Sequence, residues 1–302
     1  MRAWVRANET AAVGLLMIAP ALAAVGGLIV YPLVRGFQTS IESSGQYGQP
    51  QRYVGLRNYR QVLDDPTAVD AMRHTVEYVL LAVSLELVLG LFIAVTLRRL
   101  FAGRGIVLAV LVLPWALPSV VSGVLWRRVF DPDNGLLNSL LLKLHLIHEP
   151  HVWLAGGRWA IAFITLVHVW GALPLVSLIF LAGLTAIPQE LYNASSVDGA
   201  GGWRQFRHIT LPLLTPIIAV VMTFSVLFTF TDFQLIWAMT RGGPVNATHL
   251  MATLSYQRAI IAGQLGEGAA ISSAMIPFLL AAIMVSWFGL QRRKWQQGEN
   301  ND

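Results

Sequence analysis

The chain has 302 residues, 55% of them hydrophobic and only 12% charged, with a formal net charge of +5 and a mean hydropathy of +0.60. Soluble domains carry about twice that share of charge, so the composition excludes one and specifies an integral membrane protein. The basic residues are scattered at the ends of apolar segments, with no stripe that would track nucleic acid, and the absence of cysteine removes disulfides, thiolate metal sites and a cysteine nucleophile.

Arg2 and Arg6 precede a first apolar run, about 10–34, that continues past the signal-like Ala21-Leu22-Ala23 to Tyr31-Pro32-Leu33. That is a full span, so it reads as a retained helix with its N-terminus inside and not as a cleaved leader. A polar segment with Val54-Gly55-Leu56-Arg57-Asn58-Tyr59 follows. The second span, about 74–97, contains Glu77 and Glu86, nine residues apart and therefore on opposite helix faces. Glu77 is placed near the outer interface, and Glu86 against a neighbouring helix or subunit. Arg98, Arg99 and Arg104 form a short basic loop, which assigns it to the cytoplasmic side.

The third span, about 106–130, carries Leu113-Pro114-Trp115-Ala116-Leu117-Pro118-Ser119. Asp131-Pro132-Asp133-Asn134-Gly135 then makes a turn into an outer loop with an amphipathic piece around 136–146. A fourth span, about 159–187, a fifth, about 209–239, a loop opened by Arg241-Gly242-Gly243-Pro244, and a sixth span, about 271–290, complete the chain before Arg292-Arg293-Lys294. The expected architecture is one all-α transmembrane domain over 1–302 with about six membrane helices and both termini cytoplasmic. Outer segments are longer and mix Arg with Asp64, Asp65, Asp70, Asp131 and Glu149.

Between the fourth and fifth spans lies a polar island, 188–208, unlike anything else in the chain. It begins at Pro188, breaks at Asp198-Gly199 and Gly201-Gly202, and resumes as an aromatic and basic run from Trp203 to His208. Two short helices around a glycine turn are predicted. Helices this short are marginal in water alone, so a partner surface is their natural setting; the plainer alternative is an ordinary cytoplasmic loop.

Tyr192-Asn193-Ala194-Ser195-Ser196-Val197-Asp198-Gly199-Ala200, followed by Trp203, Phe206 and Ile209-Thr210-Leu211-Pro212, resembles the EAA coupling loop of permease subunits of bacterial ABC importers. The variant is similar to that of the carbohydrate importers of the maltose and glycerol-phosphate type. Val54–Tyr59, Leu113–Ser119, Ala182-Gly183-Leu184 with Ile187-Pro188, and Gly242-Gly243-Pro244 extend the resemblance over nearly the whole chain. It implies that Asn193, Ala194, Ser195, Asp198, Gly199 and Arg204 couple to an ATPase. Where the family has Glu and two Ala at the head of the motif, this chain reads Asn193-Ala194-Ser195, so docking would rest on shape and hydrogen bonds.

The resemblance further implies a second homologous permease subunit, two ATP-binding cassette subunits, an extracytoplasmic sugar-binding protein or lipoprotein, and membrane lipid as partners. It implies no cofactor, and nucleic acid has no place in it. Trp115 and Ser119 are four apart and are expected on one helix face beside Pro114 and Pro118. His168, Ala172 and Leu175 share a face of the fourth span, and Phe228, Thr229 and Asp232 cluster in the fifth. These faces fall where maltose-type permeases place their sugar contacts, which implies a midmembrane pocket of Trp115, Ser119, His168, Phe228, Thr229 and Asp232. Aromatic faces for sugar C–H groups and a carboxylate for hydroxyls suit that ligand.

Plainer roles are open to several of these residues: His168 as a hydrogen bonder between helices, Trp115 as packing, and the tryptophans at 126, 153, 159 and 170 as anchors or packing. No phosphate-binding loop, H-E-x-x-H or nucleophile elbow is present, so ATP chemistry is expected on another chain, with no catalytic and no metal residues here. The competing class is a secondary transporter or channel in which Asp232, Glu86 and His168 relay ions or protons. The sequence does not name the sugar, and maltose, trehalose, another oligosaccharide and glycerophosphodiesters all stay open as cargo.

Overall fold

The computed structural model describes residues 14, 16–43, 52–99 and 101–296, without the side chains of 282 and 285–296. Arg2, Arg6 and the start of the first expected span lie outside the described residues, as do the side chains of Arg292, Arg293 and Lys294. The described chain is helical and divides into two compact units, 1–64 with 255–273 and 65–254 with 274–302.

In the first unit, helix α1, Leu16–Ser40, runs past its predicted end. Its exposed Leu16, Leu28 and Phe37 are what a membrane span shows without its bilayer. Helix α2, Arg57–Asp64, is fastened by the buried Asn58, whose amide donates to the carbonyls of Ser40 at 2.8 Å and Glu42 at 2.7 Å. The motif Val54–Tyr59 thus holds the exit of α1.

The second unit opens with α3, Pro66–Arg98. Pro66 takes the first helical position, where its missing N–H costs nothing, and the Asp65 carboxylate accepts the Thr67 N–H at 2.9 Å. The predicted third span is not one helix. Helices α4, Arg104–Ala116, and α5, Ser119–Val129, meet at Leu117-Pro118 with a bend of 98°. Pro118 excludes the helical conformation for Leu117, which is extended at ψ 131°. Trp115 and Ser119 therefore sit on two helices and not on one shared face.

Helix α6, Leu136–Lys143, realises the amphipathic piece, and α7, Gly157–Thr185, the fourth span. Glycine at position 90 of α3 lets α7 come close: a Cβ there would lie 2.6 Å from Val176 Cγ1. The island begins with α8, Gln189–Val197, which ends in a Schellman motif. Gly199 takes φ +73°, its N–H donates to Ser196, and the Ala200 N–H donates to Ser195 at 2.9 Å.

The island's second helix is not separate. It continues without interruption into the fifth span as α9, Gly202–Phe230, through a π-turn at Phe206–Thr210. The fifth span also stops earlier than predicted: the helix ends at Phe230, and 234–239 form a distinct helix α10, Gln234–Met239. Beyond it lie α11, Met251–Tyr256, and α12, Leu265–Gln296.

Among the described residues, four helices are long and apolar enough to cross a membrane, α1, α3, α7 and α9, or five if α4 and α5 make one broken span. The expected sixth, 271–290, falls within α12. One apolar core of the second unit gathers Ala94, Phe180, Leu184, Tyr192 and Leu214; a second gathers Tyr78, Ile164, Leu235, Ile236 and Met239.

Candidate functional site

A cavity of about 620 Å³ borders both cores, and all six residues expected to form a pocket line it: Trp115, Ser119, His168, Phe228, Thr229 and Asp232. The break at Leu117-Pro118 brings Trp115 from the end of α4 and Ser119 from the start of α5 to the same wall. Phe228 and Thr229 come from the last turn of α9, and Asp232 from the break after it, where its Oδ1 accepts the Leu235 N–H at 3.3 Å. Trp115 is 56% exposed and Phe228 67%, so this chain leaves one side of the cavity open.

His168 on α7 is the hub of the polar wall. Its Nδ1 lies 2.8 Å from Asp232 Oδ2, and its Nε2 lies 3.0 Å from Thr229 Oγ1 and 3.2 Å from Glu86 Oε1. The one Nε2 position faces two acceptors. Glu86 Oε1 is buried without an aligned hydrogen bond although it stands within ion-pair reach; the distance is sound and the angle is what fails. Glu86 therefore pairs with a neighbouring helix, as its sequence position implies, and lines the cavity as well.

Tyr78 was not singled out by the sequence. Its hydroxyl donates to Asp232 Oδ2 at 3.0 Å, and its ring meets the His168 ring edge-on at 5.4 Å. It sits on α3 inside an apolar run, and only the pairing of α3 with α7 gives it a role. Ser122, Ser225 and Phe224 also line the cavity. Their spacing was informative: Ser225, Thr229 and Asp232 recur at four and three residues, and Phe224 precedes Phe228 by one turn. Glu77 faces away, as expected, in an exposed ion pair with Arg73 at 2.9 Å. Trp126 and Trp170 pack edge-on at 5.4 Å.

The island is held by its own network. Tyr192 is buried, its hydroxyl 2.9 Å from Thr210 Oγ1, and the Arg98 guanidinium lies 4.3 Å above its ring. The Gln205 amide donates to Tyr192 O, Ser195 Oγ and Ser196 Oγ at 3.2, 3.0 and 2.9 Å. Ser195 is thus turned partly inward, clamping the two arms of the island. Asn193, Ala194, Asp198, Gly199 and Arg204 are exposed, and so are Val197 at 88% and Trp203 at 73%. Apolar side chains this exposed on a polar segment mark a surface made to be covered. Gln189 donates to Asn193 Oδ1 at 3.4 Å, and Arg98, Arg99 and Asn193 border a hollow of about 390 Å³.

Long apolar helices around a half-open, mainly apolar cavity with one polar cluster, and a small ordered island between two of them, define a membrane-embedded transport subunit. Residues 86–296 match the model of the binding-protein-dependent transport system inner membrane component family, and the chain belongs to that family. It is 34% identical over 275 residues to the trehalose/maltose transport system permease protein MalF of Thermococcus litoralis, covering 91% of this chain and 92% of that one. It is 34% identical over 271 residues to the sulfoquinovosyl glycerol transport system permease protein SmoG of Agrobacterium fabrum, covering 89% and 87%. Among solved structures, a chain of a bacterial ABC transporter importing the acidic polysaccharide alginate superposes with a TM-score of 0.80 at 18% identity, over 97% of this chain and 99% of that one. That likeness is one of fold.

Proposed function

We propose that the chain forms half of the translocation path for a sugar, a di- or oligosaccharide, in an ATP-driven importer. The observation that carries this reading is a cavity lined by Trp115, Phe224 and Phe228 together with carboxylates, an imidazole and hydroxyls. Aromatic faces take sugar C–H groups while the polar wall pairs with hydroxyls. A second, related permease subunit closes the side left open at Trp115 and Phe228. The relatives named for trehalose/maltose and sulfoquinovosyl glycerol transport support a glycosidic cargo.

The island faces the cytoplasm in this reading and docks on an ATP-binding cassette subunit, one of two, which hydrolyses ATP. Exposed Asn193, Ala194, Asp198, Gly199, Arg204, Val197 and Trp203 form the docking face, and Ser195 supports it from within. An extracytoplasmic binding protein or lipoprotein delivers the sugar.

The test is uptake in proteoliposomes holding the assembled importer. Uptake should require ATP and binding protein, and Asp232→Ala should abolish it while the complex still hydrolyses ATP; unchanged uptake kinetics in that variant would remove Asp232 from the path. One observation favours a second reading, in which Asp232, His168 and Glu86 relay protons: the three do form a contiguous chain of contacts. Uptake driven by a pH gradient alone would establish the relay in place of the ATP-driven path.

A further inference from the structure

The charged groups lining the cavity are Glu86, His168 and Asp232; neither a lysine nor an arginine is among its lining residues. Two carboxylates thus share one imidazole, and the wall is acidic even with that imidazole charged. Its hydrogen-bond inventory is lopsided in the same sense. Asp232 Oδ2 is engaged by Tyr78 and His168, whereas Glu86 Oε1, on a side chain 1% exposed, has no aligned donor. That oxygen is closed off beside the His168 imidazole, so Glu86 acts on what enters the cavity through its charge.

We infer that the wall built by Glu86, His168 and Asp232 accepts sugars that are uncharged or carry an amine and rejects those bearing a carboxylate, sulfonate or phosphate. This rests on the sugar-path reading and narrows it. A neutral hydroxyl meets the acidic wall without like-charge repulsion. An ammonium gains the acidic wall and the faces of Trp115 and Phe228 as well. An acidic group meets like charge from this chain's wall, with no lysine or arginine among its lining residues to pair with.

The experiment is saturation-transfer NMR on the assembled importer in lipid nanodiscs, without binding protein, so that only the membrane cavity selects. The probes are maltotriose, the glucosamine trimer and trigalacturonate. The first two should bind and trigalacturonate should bind at least about tenfold more weakly, equivalent to about 1.4 kcal/mol. Glu86→Gln with Asp232→Asn should narrow that gap, and Glu86→Gln alone should narrow it in part, with co-elution of all subunits in size-exclusion chromatography reporting that each variant has assembled. Trigalacturonate binding as tightly as maltotriose to the unaltered complex overturns the inference, as does a gap unchanged by the double substitution. Failure of all three probes to bind instead removes the sugar-path reading on which it rests.

Discussion

Removing the His168 imidazole should damage the protein more than removing the whole charged cluster. In His168→Ala, Glu86 and Asp232, with side chains 1% and 11% exposed, lose the group that stands 3.2 and 2.8 Å from them. Each contact at that range amounts to roughly 5 kcal/mol of gross attraction at an effective dielectric of about 20. Desolvation offsets most of it, and taking one member from a buried ion pair costs about 3–5 kcal/mol net. Water entering the open side of the cavity puts the expected loss near the lower figure, a fall of roughly 5–10 °C in the unfolding midpoint.

The triple variant His168→Ala, Glu86→Gln, Asp232→Asn keeps the shapes of the two acids without their charge. It should recover at least half of that fall, because the like-charge penalty is gone. Thermal unfolding of the detergent-solubilised complex, followed by loss of the monodisperse species, compares the two. If His168→Ala melts with the unaltered protein, or if the triple variant is no more stable than the single one, the cluster is not held together by charge.

Gly90→Ala should destabilise by about 1–3 kcal/mol, since its Cβ would sit 2.6 Å from a β-branched side chain, Val176, and Val176→Ala should restore the melt; identical melts for Gly90→Ala and the parent would contradict the close packing of α3 on α7. Tyr192→Phe combined with Gln205→Ala removes the Thr210 contact and the clamp across the island, so basal ATP hydrolysis should persist while its stimulation by loaded binding protein falls several-fold; full stimulation would show that the clamp does not transmit. Asn193→Glu should leave the ATPase subunit co-purifying, because position 193 is exposed and borders the same hollow as Arg98 and Arg99; loss of that subunit would show that the amide itself is required.

The six pocket residues came from the resemblance to maltose-type permeases together with the polar and aromatic residues inside apolar runs, since a polar group in a membrane helix is costly unless it faces a cavity or a partner; spacing alone wrongly put Trp115 and Ser119 on one helix face. What spacing could not supply is where helices stop. Thr231-Asp232-Phe233 contains neither glycine nor proline and the apolar residues continue to Met239, so the end of α9 at Phe230 left no mark in hydropathy. Pro114 and Pro118 did signal a weakness, yet the size of the bend depends on how α5 packs against α10. Tyr78, and the place of Glu86 on the cavity wall, became legible only once α3 lay against α7, since their partners His168 and Asp232 are distant in sequence. Ser122 and Ser225 are ambiguous by nature, because a serine in a helix can satisfy its hydroxyl on its own backbone.

Helix α9 runs 29 residues from Gly202 to Phe230, a length of about 43 Å. Trp203 stands near one end, and Phe228 and Thr229 near the other. One continuous backbone therefore joins the island to the cavity wall. The π-turn at Phe206–Thr210, one turn inside the island end, and Pro216 interrupt its regular hydrogen bonding. Mechanical linkage also runs both ways, so a ligand that favours one position of Phe228 and Thr229 must bias the island by the same free energy. The backbone of one helix then connects the exposed island to the wall of the cavity.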